Sequence, residues 1–389
     1  MGVPTRSFLF YNRRMQKKYI GIGSIENIKR ILFENQYQNV FVVSGKQSYE
    51  ASGAQAKLAK ELDGMRVTYF NDISPNPTRE IVQKGIESFQ KSGAEIIIAV
   101  GGGSAIDTAK AINALTGKEK NITPFITGEV SITTVAVPLV AVPTTSGSGS
   151  EATHFAVVYI DTHKYSIAHH EMQPTYAIVD PTLTYSLPAY VTACCGFDAL
   201  AQAIEAYWSI HSTKESKTYS RQAIPMILNA LPSAVSDNQA ARIVMAEAAY
   251  LAGQAINIAK TTASHAMSYA FTSQYDLPHG HAVAVTLPRL FLFNSQVDKE
   301  TITDIRGVAY VQHTLAELME LLGVTTPEEA CQKLTSIAQS IGLEMNLRKC
   351  GVKSEDIDVL LQGFSAQRAG NNPRYFDQAI ARTVLMDLL

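Results

Sequence analysis

The stretch "EIIIAVGGGSAIDTAKAINAL", residues 95–115, decides the fold class. Its first half is a short apolar run rich in isoleucine, which predicts a buried strand, and its second half repeats apolar residues at helical spacing. Three consecutive glycines, Gly101–Gly103, join the two halves. Because the same alternation of strand and helix continues on both sides of this segment, the chain predicts a mostly parallel sheet covered by helices.

The alternation ends near Pro188, and from Ala193 onward the chain reads as successive helices. The strand-like runs before that point include "YIGIG" (19–23), "NVFVVSG" (39–45), "AVVYID" (156–161) and "YAIVDP" (176–181). We therefore predict an α/β domain over residues 1–188 and an all-helical domain over residues 189–389. Small-molecule sites tend to lie in the cleft between two such domains.

The composition limits the range of functions. The chain has 389 residues, 46% of them hydrophobic, and a formal net charge of −2, so bulk charge favours neither nucleic acid nor an anionic membrane. No run approaches the roughly 20 apolar residues of a membrane span, and the start "MGVPTR" fits neither a signal peptide nor a myristoylation signal. The cysteines, Cys194, Cys195, Cys331 and Cys350, lack zinc-finger spacing. We expect a cytoplasmic protein with reduced thiols and no nucleic-acid or membrane partner.

Two glycine-rich loops predict ligand contacts. The helix that follows Gly101–Gly103 offers unpaired N–H groups and a positive dipole end, which suit a phosphate; a tight turn with close packing is the alternative. The second loop, "VPTTSGSGSEAT" (142–153), brings hydroxyls at Thr144, Thr145 and Ser148. It is either a flexible linker or a ligand-lining loop, and its place between two strand-like runs of one domain favours the second.

A carboxylate stands in an unusual place in "GFDALAQAIEAYW" (196–208), a helical pattern that is otherwise mostly apolar. Asp198 is costly there unless something pairs with it, and Gln202 returns to the same helix face four residues later. His265 and His279 follow in the cysteine-poor second half. One aspartate and two histidines form a plausible divalent-metal site with Gln202 as fourth ligand. The alternative is that the histidines are core residues, since spacing alone does not fix a metal.

Five motifs in fixed order resemble the iron-containing (group III) alcohol dehydrogenase family. They are "GGGSAIDTAKA", "PTTSGSGSEAT", "DPTLTYSLP", "GFDALAQAIEAYWS" and "HAMSYAFTSQYDLPHGHAVAVTLP". The resemblance covers nearly the whole chain and implies an N-terminal dinucleotide-binding α/β domain, a C-terminal helical domain and an active site between them. It also implies hydride transfer between NAD or NADP and a small aldehyde or alcohol, assisted by Fe²⁺ or, as second choice, Zn²⁺. A homodimer is the implied assembly.

The resemblance also assigns individual residues. Asp198, His265 and His279 match three metal ligands of the family, and thereby its catalytic centre. The cofactor-binding residues that it implies are Gly102, Gly103 and Ser104 at the pyrophosphate, Thr144, Thr145 and Ser148 along the cofactor, Lys164 at the ribose and Asp107 near the nicotinamide.

The sequence departs from the family at the metal site. The fourth family ligand is a histidine four residues after the aspartate, where this chain has Gln202, so a borderline cation should be held less tightly. Tyr269 replaces a further family histidine four residues after His265. Tyr269 and His281 are the candidates for the general acid, with packing in the core or at the surface as the alternative for His281.

The residues after the second strand favour NADPH, or acceptance of both cofactors. An acid at that place would bind the ribose 2′-hydroxyl and repel a 2′-phosphate. Here the strand ends at Gly45 and Lys46, and residues 44–48 contain no acid. A Lys46 side chain that only points to solvent is the alternative.

Within the family, this chain most nearly resembles the branch that reduces phosphonoacetaldehyde to 2-hydroxyethylphosphonate. The segments "EAYWSIHSTKES" and "AGNNPR" carry that resemblance. Such a substrate needs cationic partners, and the candidates are Arg289, Arg368, Arg374 and Lys164, with surface ion pairing as the alternative for the arginines. Three other functions stay open. They are a general short-chain alcohol dehydrogenase, a related lyase or synthase on the same fold, and a metal-impaired cofactor-binding homologue without turnover.

Overall fold

The computed structural model describes residues 15–161, 163–275 and 277–389. The expectation that "MGVPTR" carries neither a signal peptide nor a myristoylation signal lies outside the described residues, as do the first 14 residues of the predicted α/β domain. Within the described ranges an N-terminal α/β part is followed by a C-terminal helical part, which confirms the predicted fold class.

The N-terminal part contains the strands, most of which form one parallel sheet. The strands are β1 (Lys17–Ile20), β2 (Asn39–Ser44), β3 (Arg66–Phe70), β4 (Ile96–Gly101), β5 (Leu139–Pro143), β6 (Phe155–Ile160), β7 (His163–Ala168) and β8 (Tyr176–Val179). Six of them pair in the order β1-β8-β5-β4-β2-β3, and every neighbouring pair is parallel. The glycine loop that follows β4 therefore lies near the middle of the sheet, at its carboxyl edge.

Helices cover both faces of this sheet because successive residues of a strand point to opposite sides. Phe41 and Ile97 belong to the core on one face, and Val42 and Ile98 belong to the core on the other. The helices of this part are α1 (Asn27–Glu34), α2 (Lys46–Ala51), α3 (Ala54–Glu61), α4 (Arg79–Ser92), α5 (Gly103–Leu115) and α6 (Thr123–Thr127). Burial on both faces explains why the central strands read as continuous apolar runs.

Two strands stay outside the main sheet. The run 156–161 predicts a further sheet strand, but in the structure β6 pairs with β7 in an antiparallel ribbon. The sequence of β7, "HKYSIA", is too polar to give a strand signal by itself. The ribbon packs against α5 and carries Lys164 toward the carboxyl edge of the sheet.

The C-terminal part is helical. Its helices are α7 (Ala189–Trp208), α8 (Lys214–Val235), α9 (Gln239–Ala259), α10 (Ala263–Gln274), α11 (His279–Ser295), α12 (Val308–Leu322), α13 (Pro327–Ser340), α14 (Ile357–Gln362), α15 (Ala366–Ala369) and α16 (Gln378–Met386). Most of α7 is buried, and it packs against α8, α9 and α11. Among the described helices, none has the length and apolarity needed to cross a membrane.

The two parts meet where the loop after β5 presses on α7 and α9. A Cβ on Gly147 would lie 2.7 Å from the carbonyl oxygen of Cys195, and a Cβ on Gly149 would lie 2.4 Å from the Cα of Gly253. Only glycine fits at such approaches, so these residues set the distance between the sheet edge and the helices. Helix α7 begins at Ala189, but the domain boundary after residue 188 stays a prediction.

Candidate active site

A cavity of about 350 Å³ lies between the carboxyl edge of the sheet and the helices α7, α10 and α11. Two sets of residues face each other across it. We call Gly102, Gly103, Ser104, Thr145 and Ser148 the loop wall, and Asp198, Gln202, His265 and His279 the helix wall. The structure thus brings most of the sequence-predicted site residues to one place.

Asp198, His265 and His279 lie together on the helix wall although they are far apart in sequence. Each offers one ligand atom, and these atoms lie within 4.8 Å of one another. The Oδ1 atom of Asp198 is 3.2 Å from Nε2 of His265 and 3.8 Å from Nε2 of His279. The middle of α7 supplies the aspartate, and the first turns of α10 and α11 supply the histidines. One carboxylate and two imidazoles at this spacing fit a divalent cation such as Fe²⁺ or Zn²⁺.

Both imidazoles present the same ring nitrogen to Asp198. The Nδ1 atom of His265 contacts the carboxylate of Glu205, and the Nδ1 atom of His279 lies 3.2 Å from the Ser268 hydroxyl. Because Ser268 donates its own proton to the carbonyl oxygen of His265, at 2.9 Å, its oxygen is left to accept from His279. With Nδ1 acting as the donor, each ring in its neutral form has its lone pair on Nε2, facing the cluster, which is the form that binds a metal.

The two histidines differ in charge. Burial lowers the pKa of His279 to about 3, so this ring is neutral near pH 7. Burial also acts to lower the pKa of His265, but the carboxylates of Glu205 and Asp198 outweigh it and raise this pKa to about 9. Burial raises the pKa of Asp198, yet His265 and His279 overcome that effect and hold the pKa below its usual value. A divalent cation at the cluster would take the place of the proton on Nε2 of His265, so metal binding would release that proton.

Gln202 occupies the place of the predicted fourth ligand. Its Nε2 donates to Oδ2 of Asp198 at 3.0 Å and to the carbonyl oxygen of Ser148 at 3.3 Å. Its Oε1 is buried and has no hydrogen-bond partner among the described residues. Buried polar atoms are normally satisfied, and since the amide faces Asp198 through Nε2, its oxygen would reach a cation at the cluster with the amide turned over. The role of Gln202 as a ligand stays a prediction.

The loop wall is built from backbone groups. Helix α5 begins at Gly103 directly after β4, and no side chain caps its start at Gly102. A Cβ on Gly103 would lie 2.9 Å from the hydroxyl oxygen of Ser148, so the second loop closes on the helix start because this residue is glycine. The N–H of Thr144 donates to the last carbonyl of β4 at 2.9 Å, which joins the two loops. A helix start with free N–H groups fits a phosphate.

Asp107 reaches the cavity from α5, but both of its carboxylate oxygens have protein partners. Oδ1 accepts from the Ser150 hydroxyl at 2.5 Å, and Oδ2 accepts from the N–H of Val157 at 2.9 Å. Burial raises its pKa, with Lys110 and these hydrogen bonds acting in the opposite direction. The carboxylate ties α5 to the second loop and to β6, and its predicted place near the nicotinamide stays a prediction.

Two basic side chains, Lys164 and Arg368, face the cavity from β7 and α15. The Nζ atom of Lys164 lies 3.7 Å from the ring centre of Tyr269, and the guanidinium carbon of Arg368 lies 6.0 Å from it. Burial and the neighbouring Arg368 lower the pKa of Lys164 to about 7. Arg368 donates to the hydroxyl of Thr261 at 2.7 Å. The cavity therefore combines the carboxylate and imidazole cluster with two groups that favour an anionic ligand.

The other two candidate arginines lie elsewhere. Arg289 pairs with Asp387 at 2.6 Å, and Arg374 donates to the carbonyl oxygen of Phe293 at 2.7 Å. Neither arginine is among the described residues that line the cavity. Of the four cations that the sequence proposes for an anionic substrate, the structure places Lys164 and Arg368 at the site.

His281 also faces away from the cavity. It lies two residues after His279 on α11, and residues at that spacing do not share a helix face. Its Nδ1 is 2.9 Å from the Tyr190 hydroxyl and its Nε2 is 2.7 Å from the carbonyl oxygen of Glu344. Tyr269 is the member of the pair of general-acid candidates that lines the cavity.

Gly45 and Lys46 lie beside the loop wall. Gly45 precedes α2, and its nitrogen is 3.9 Å from the position that a Cβ on Gly101 would take. The side chain of Lys46 is exposed. The carboxyl end of β2 thus adjoins the glycine loop and carries no acid, as the sequence indicates.

Two family models cover almost all of the described chain. The model "Iron-containing alcohol dehydrogenase" matches residues 16–181, and "Fe-containing alcohol dehydrogenase family, C-terminal" matches residues 192–387. The chain belongs to the iron-containing alcohol dehydrogenase family. The resemblance that the five motifs carry is confirmed, and the family is one of oxidoreductases.

Relatives of this family member match it over most of its length. Alcohol dehydrogenase 4 of Saccharomyces cerevisiae (strain ATCC 204508 / S288c) is 31% identical over 352 residues, which cover 88% of this chain and 89% of that protein. The NAD-dependent methanol dehydrogenase of Bacillus methanolicus is 31% identical over 363 residues, or 91% and 93% of the two chains. The crystal structure of sulfoacetaldehyde reductase from Bifidobacterium kashiwanohense in complex with NAD⁺ has a TM-score of 0.85, 29% identity and 96% coverage of each chain.

The sequence motifs of this alcohol dehydrogenase family member do not point to one buried acid near the cluster, Glu205. Glu205 lies on α7 seven residues after Asp198, two helical turns along the same face, and it has no exposed surface. Its carboxylate contacts His265 and the backbone just before α10. A second acid within the apolar run "AIEAYW" was the available signal, since a buried carboxylate needs a partner for the same reason as Asp198 does.

Proposed function

We propose that this protein reduces a small aldehyde that carries an anionic group, such as phosphonoacetaldehyde, with NADH or NADPH as hydride donor. The observation that carries the proposal is the placement of Lys164 and Arg368 in the same cavity as Asp198, His265 and His279. A structural neighbour named for the reduction of sulfoacetaldehyde, an aldehyde with a sulfonate group, supports the same substrate class.

The helix wall would hold the metal through Asp198, His265 and His279, with Gln202 as the proposed fourth ligand. When bound, a divalent cation supplies Lewis acidity to the carbonyl oxygen, and the reduced nicotinamide supplies the hydride. The chain itself fixes the ligand atoms in place. Burial raises the pKa of Tyr269, so its hydroxyl keeps a proton within the cavity and is our proposed proton donor.

The loop wall would hold the cofactor. The N–H groups at Gly102, Gly103 and Ser104 would face the pyrophosphate, and the hydroxyls of the second loop would line the remainder. The members of that second set are Thr144, Thr145 and Ser148. Asp107 would lie near the nicotinamide. The absence of an acid at Gly45 and Lys46 supports the use of NADPH, whereas the NAD⁺ bound in the structural neighbour supports NADH, and we propose that both are accepted.

Lys164 has two expected roles, so a substitution at Arg368 is the clearer test of how the substrate's anionic group is bound. Lys164 is placed to reach either the cofactor ribose or the anionic end of the substrate, whereas Arg368 lies on α15 in the helical part. Its NH1 donates to the hydroxyl of Thr261, and the residue lines the cavity. Replacing Arg368 should therefore affect anionic aldehydes more than it affects cofactor binding.

The experiment compares Arg368→Ala with the unchanged protein on phosphonoacetaldehyde, sulfoacetaldehyde and neutral propionaldehyde, with NADH and with NADPH. Loss of a charge-assisted hydrogen bond should lower kcat/KM for the anionic aldehydes about 10–100-fold and leave propionaldehyde nearly unchanged. Arg289→Ala is the matched control, because Arg289 pairs with Asp387 outside the cavity.

Other outcomes point to the other functions. Equal efficiency on neutral and anionic aldehydes in the unchanged protein would indicate a general short-chain alcohol dehydrogenase. No turnover of any aldehyde after loading with Fe²⁺ or Zn²⁺ would indicate a cofactor-binding homologue, and either result contradicts the proposal.

We further propose that the protein acts as a cytoplasmic homodimer. Among the described strands, β1 is the outermost at one edge of the sheet, where a second copy can pair with it, and all four cysteines are free. Light scattering on the purified protein measures the assembly directly, and a monomeric mass would contradict it.

A further inference from the structure

Glu205 is the most completely buried acid at the site, and the function proposed above gives it no role. Its side chain has no exposed surface, and four donors converge on its carboxylate. Oε1 accepts from the N–H of Thr262 at 3.2 Å, from the hydroxyl of Thr262 at 2.8 Å and from the N–H of Ser264 at 2.9 Å. Oε2 contacts Nδ1 of His265. All four donors belong to the turn between α9 and α10 or to the first residues of α10.

The backbone of this turn is in a costly conformation. Lys260 has φ +62° and ψ 173°, a region that residues other than glycine rarely adopt. Such a conformation persists only where the surroundings fix it. Glu205 binds the residues that follow, Trp208 donates to the hydroxyl of Thr262 at 2.9 Å, and Asn371 donates to the carbonyl oxygen of Thr261 at 2.9 Å. The carboxylate therefore fixes the turn and the ring of His265 together.

We propose that Glu205 is the positioning residue of the metal site, which fixes the start of α10 and holds His265 in the tautomer whose Nε2 lone pair faces Asp198. This inference rests on the metal-dependent function proposed above. The other histidine of the cluster, His279, is held by the neutral hydroxyl of Ser268 instead. The two imidazoles are thus oriented by partners of different charge, and the charged partner also organises the backbone.

The substitution Glu205→Gln tests this with almost no change in volume. If the amide oxygen keeps the three donors of the turn, its NH₂ group faces Nδ1–H of His265, and two donors oppose each other. The ring then shifts its proton to Nε2, which removes the lone pair from the cluster. If the amide turns round, its NH₂ group faces the three donors of the turn instead. The first arrangement changes the tautomer of His265, and the second weakens the hold on the turn that carries it, so either disturbs a proposed ligand that is not itself replaced.

The measurement is the affinity of the metal-free protein for Zn²⁺ and Co²⁺, by competition with a chelating dye. We expect Glu205→Gln to bind both ions about 10–100-fold more weakly, the usual effect of losing the carboxylate behind a histidine ligand. NADH affinity, measured by fluorescence, should stay within about twofold, because the loop wall is unchanged. Asp304→Asn is the matched control, since Asp304 is a buried acid of the helical part that binds Arg306 rather than the site.

A folded Glu205→Gln protein with unchanged Zn²⁺ and Co²⁺ affinity overturns the inference, even if its thermal stability has fallen. Aldehyde turnover does not enter this measurement, so a failure of the proposed substrate leaves it intact. Unchanged protein that binds neither ion contradicts both the inference and the proposed function.

A second measurement serves if Glu205→Gln does not fold. In the unchanged protein loaded with Co²⁺, each ligating imidazole should give one paramagnetically shifted N–H proton in its NMR spectrum. The signal of His265 should exchange with solvent more slowly than that of His279, because Glu205 is fully buried. Ser268→Ala keeps all three proposed ligands and removes only the Nδ1 partner of His279, so the signal that it changes is that of His279. Absence of a slowly exchanging N–H signal from His265 overturns the proposed contact.

Discussion

The loop wall and the helix wall reach the same cavity by opposite physical means. The loop wall depends on side chains that are missing, because Gly103 in the wall and Gly147 and Gly149 in the loop behind it allow approaches that a Cβ would prevent. The helix wall depends on side chains that hold other side chains, as Ser268 holds His279 and Glu205 holds His265. One wall therefore offers mainly backbone groups to a ligand, and the other offers mainly ionisable groups.

This difference predicts that the two walls can be damaged separately. A change in the helix wall should alter metal affinity and the chemical step while cofactor affinity persists. A change in the loop wall should weaken the cofactor while the metal stays bound. Gln202 is the exception, because its amide bonds to Asp198 on one side and to the carbonyl oxygen of Ser148 on the other.

The largest effect is expected for His279→Ala. Removing one of the three proposed ligands should abolish tight metal binding and lower kcat/KM for every aldehyde by at least about 10²–10³-fold, since the charge on the carbonyl oxygen is then unsupported. NADH affinity should stay within about twofold because no contact of the loop wall is lost. Metal content, kcat/KM and NADH fluorescence titration measure the three quantities.

The control for that prediction lies on the same helix. His281→Ala removes an imidazole two residues further along α11, bonded to Tyr190 and Glu344 and facing away from the cavity. It should lower stability and keep the metal. Full activity of His279→Ala in the presence of a strong chelator would show that the metal is not the Lewis acid.

Some elements around the cavity can be predicted from the sequence and others cannot. Strands β2 and β4 and helix α5 are readable because burial on both faces leaves continuous apolar runs, and helical spacing follows them. The ribbon of β6 and β7 is not readable, because a two-stranded ribbon against α5 has no alternation strong enough to distinguish it from a sheet strand.

The residues of the candidate site can likewise be predicted from the sequence only in part. The motifs and their order indicate Asp198, His265 and His279, and the structure brings these three side chains together. Spacing alone could have excluded His281, since residues two apart lie on different helix faces. The contacts of Glu205 with the turn before α10 could not be read, because they depend on how α7 and α10 pack.

An intermediate effect is expected for Gly103→Ala on the loop wall. The new Cβ would lie 2.9 Å from the hydroxyl oxygen and 3.0 Å from the Cβ of Ser148, so the second loop must move away from the helix start. We expect KM for NADH and NADPH to rise about 10-fold, as one or two backbone hydrogen bonds to the pyrophosphate are lost. Metal affinity should be unchanged. A loss of metal together with the cofactor would contradict the separation of the two walls.

The smallest and most informative change is Gln202→His, at the residue that joins the walls. An imidazole is a stronger donor than an amide oxygen for Fe²⁺ or Zn²⁺, so the metal dissociation constant should fall about 10-fold if this position is a ligand. The same change removes the hydrogen bond to Ser148, worth about 1 kcal/mol, so NADH affinity should fall about fivefold.

Gln202→Ala separates the two contributions, because it loses the hydrogen bond without adding a ligand. Suppose that Gln202→His binds the metal more tightly and NADH more weakly, whereas Gln202→Ala changes only NADH affinity. That result would show that Gln202 serves mainly the loop wall. If Gln202→Ala also loses metal affinity, Gln202 supports the helix wall as well, through its hydrogen bond to Asp198 or as a fourth ligand.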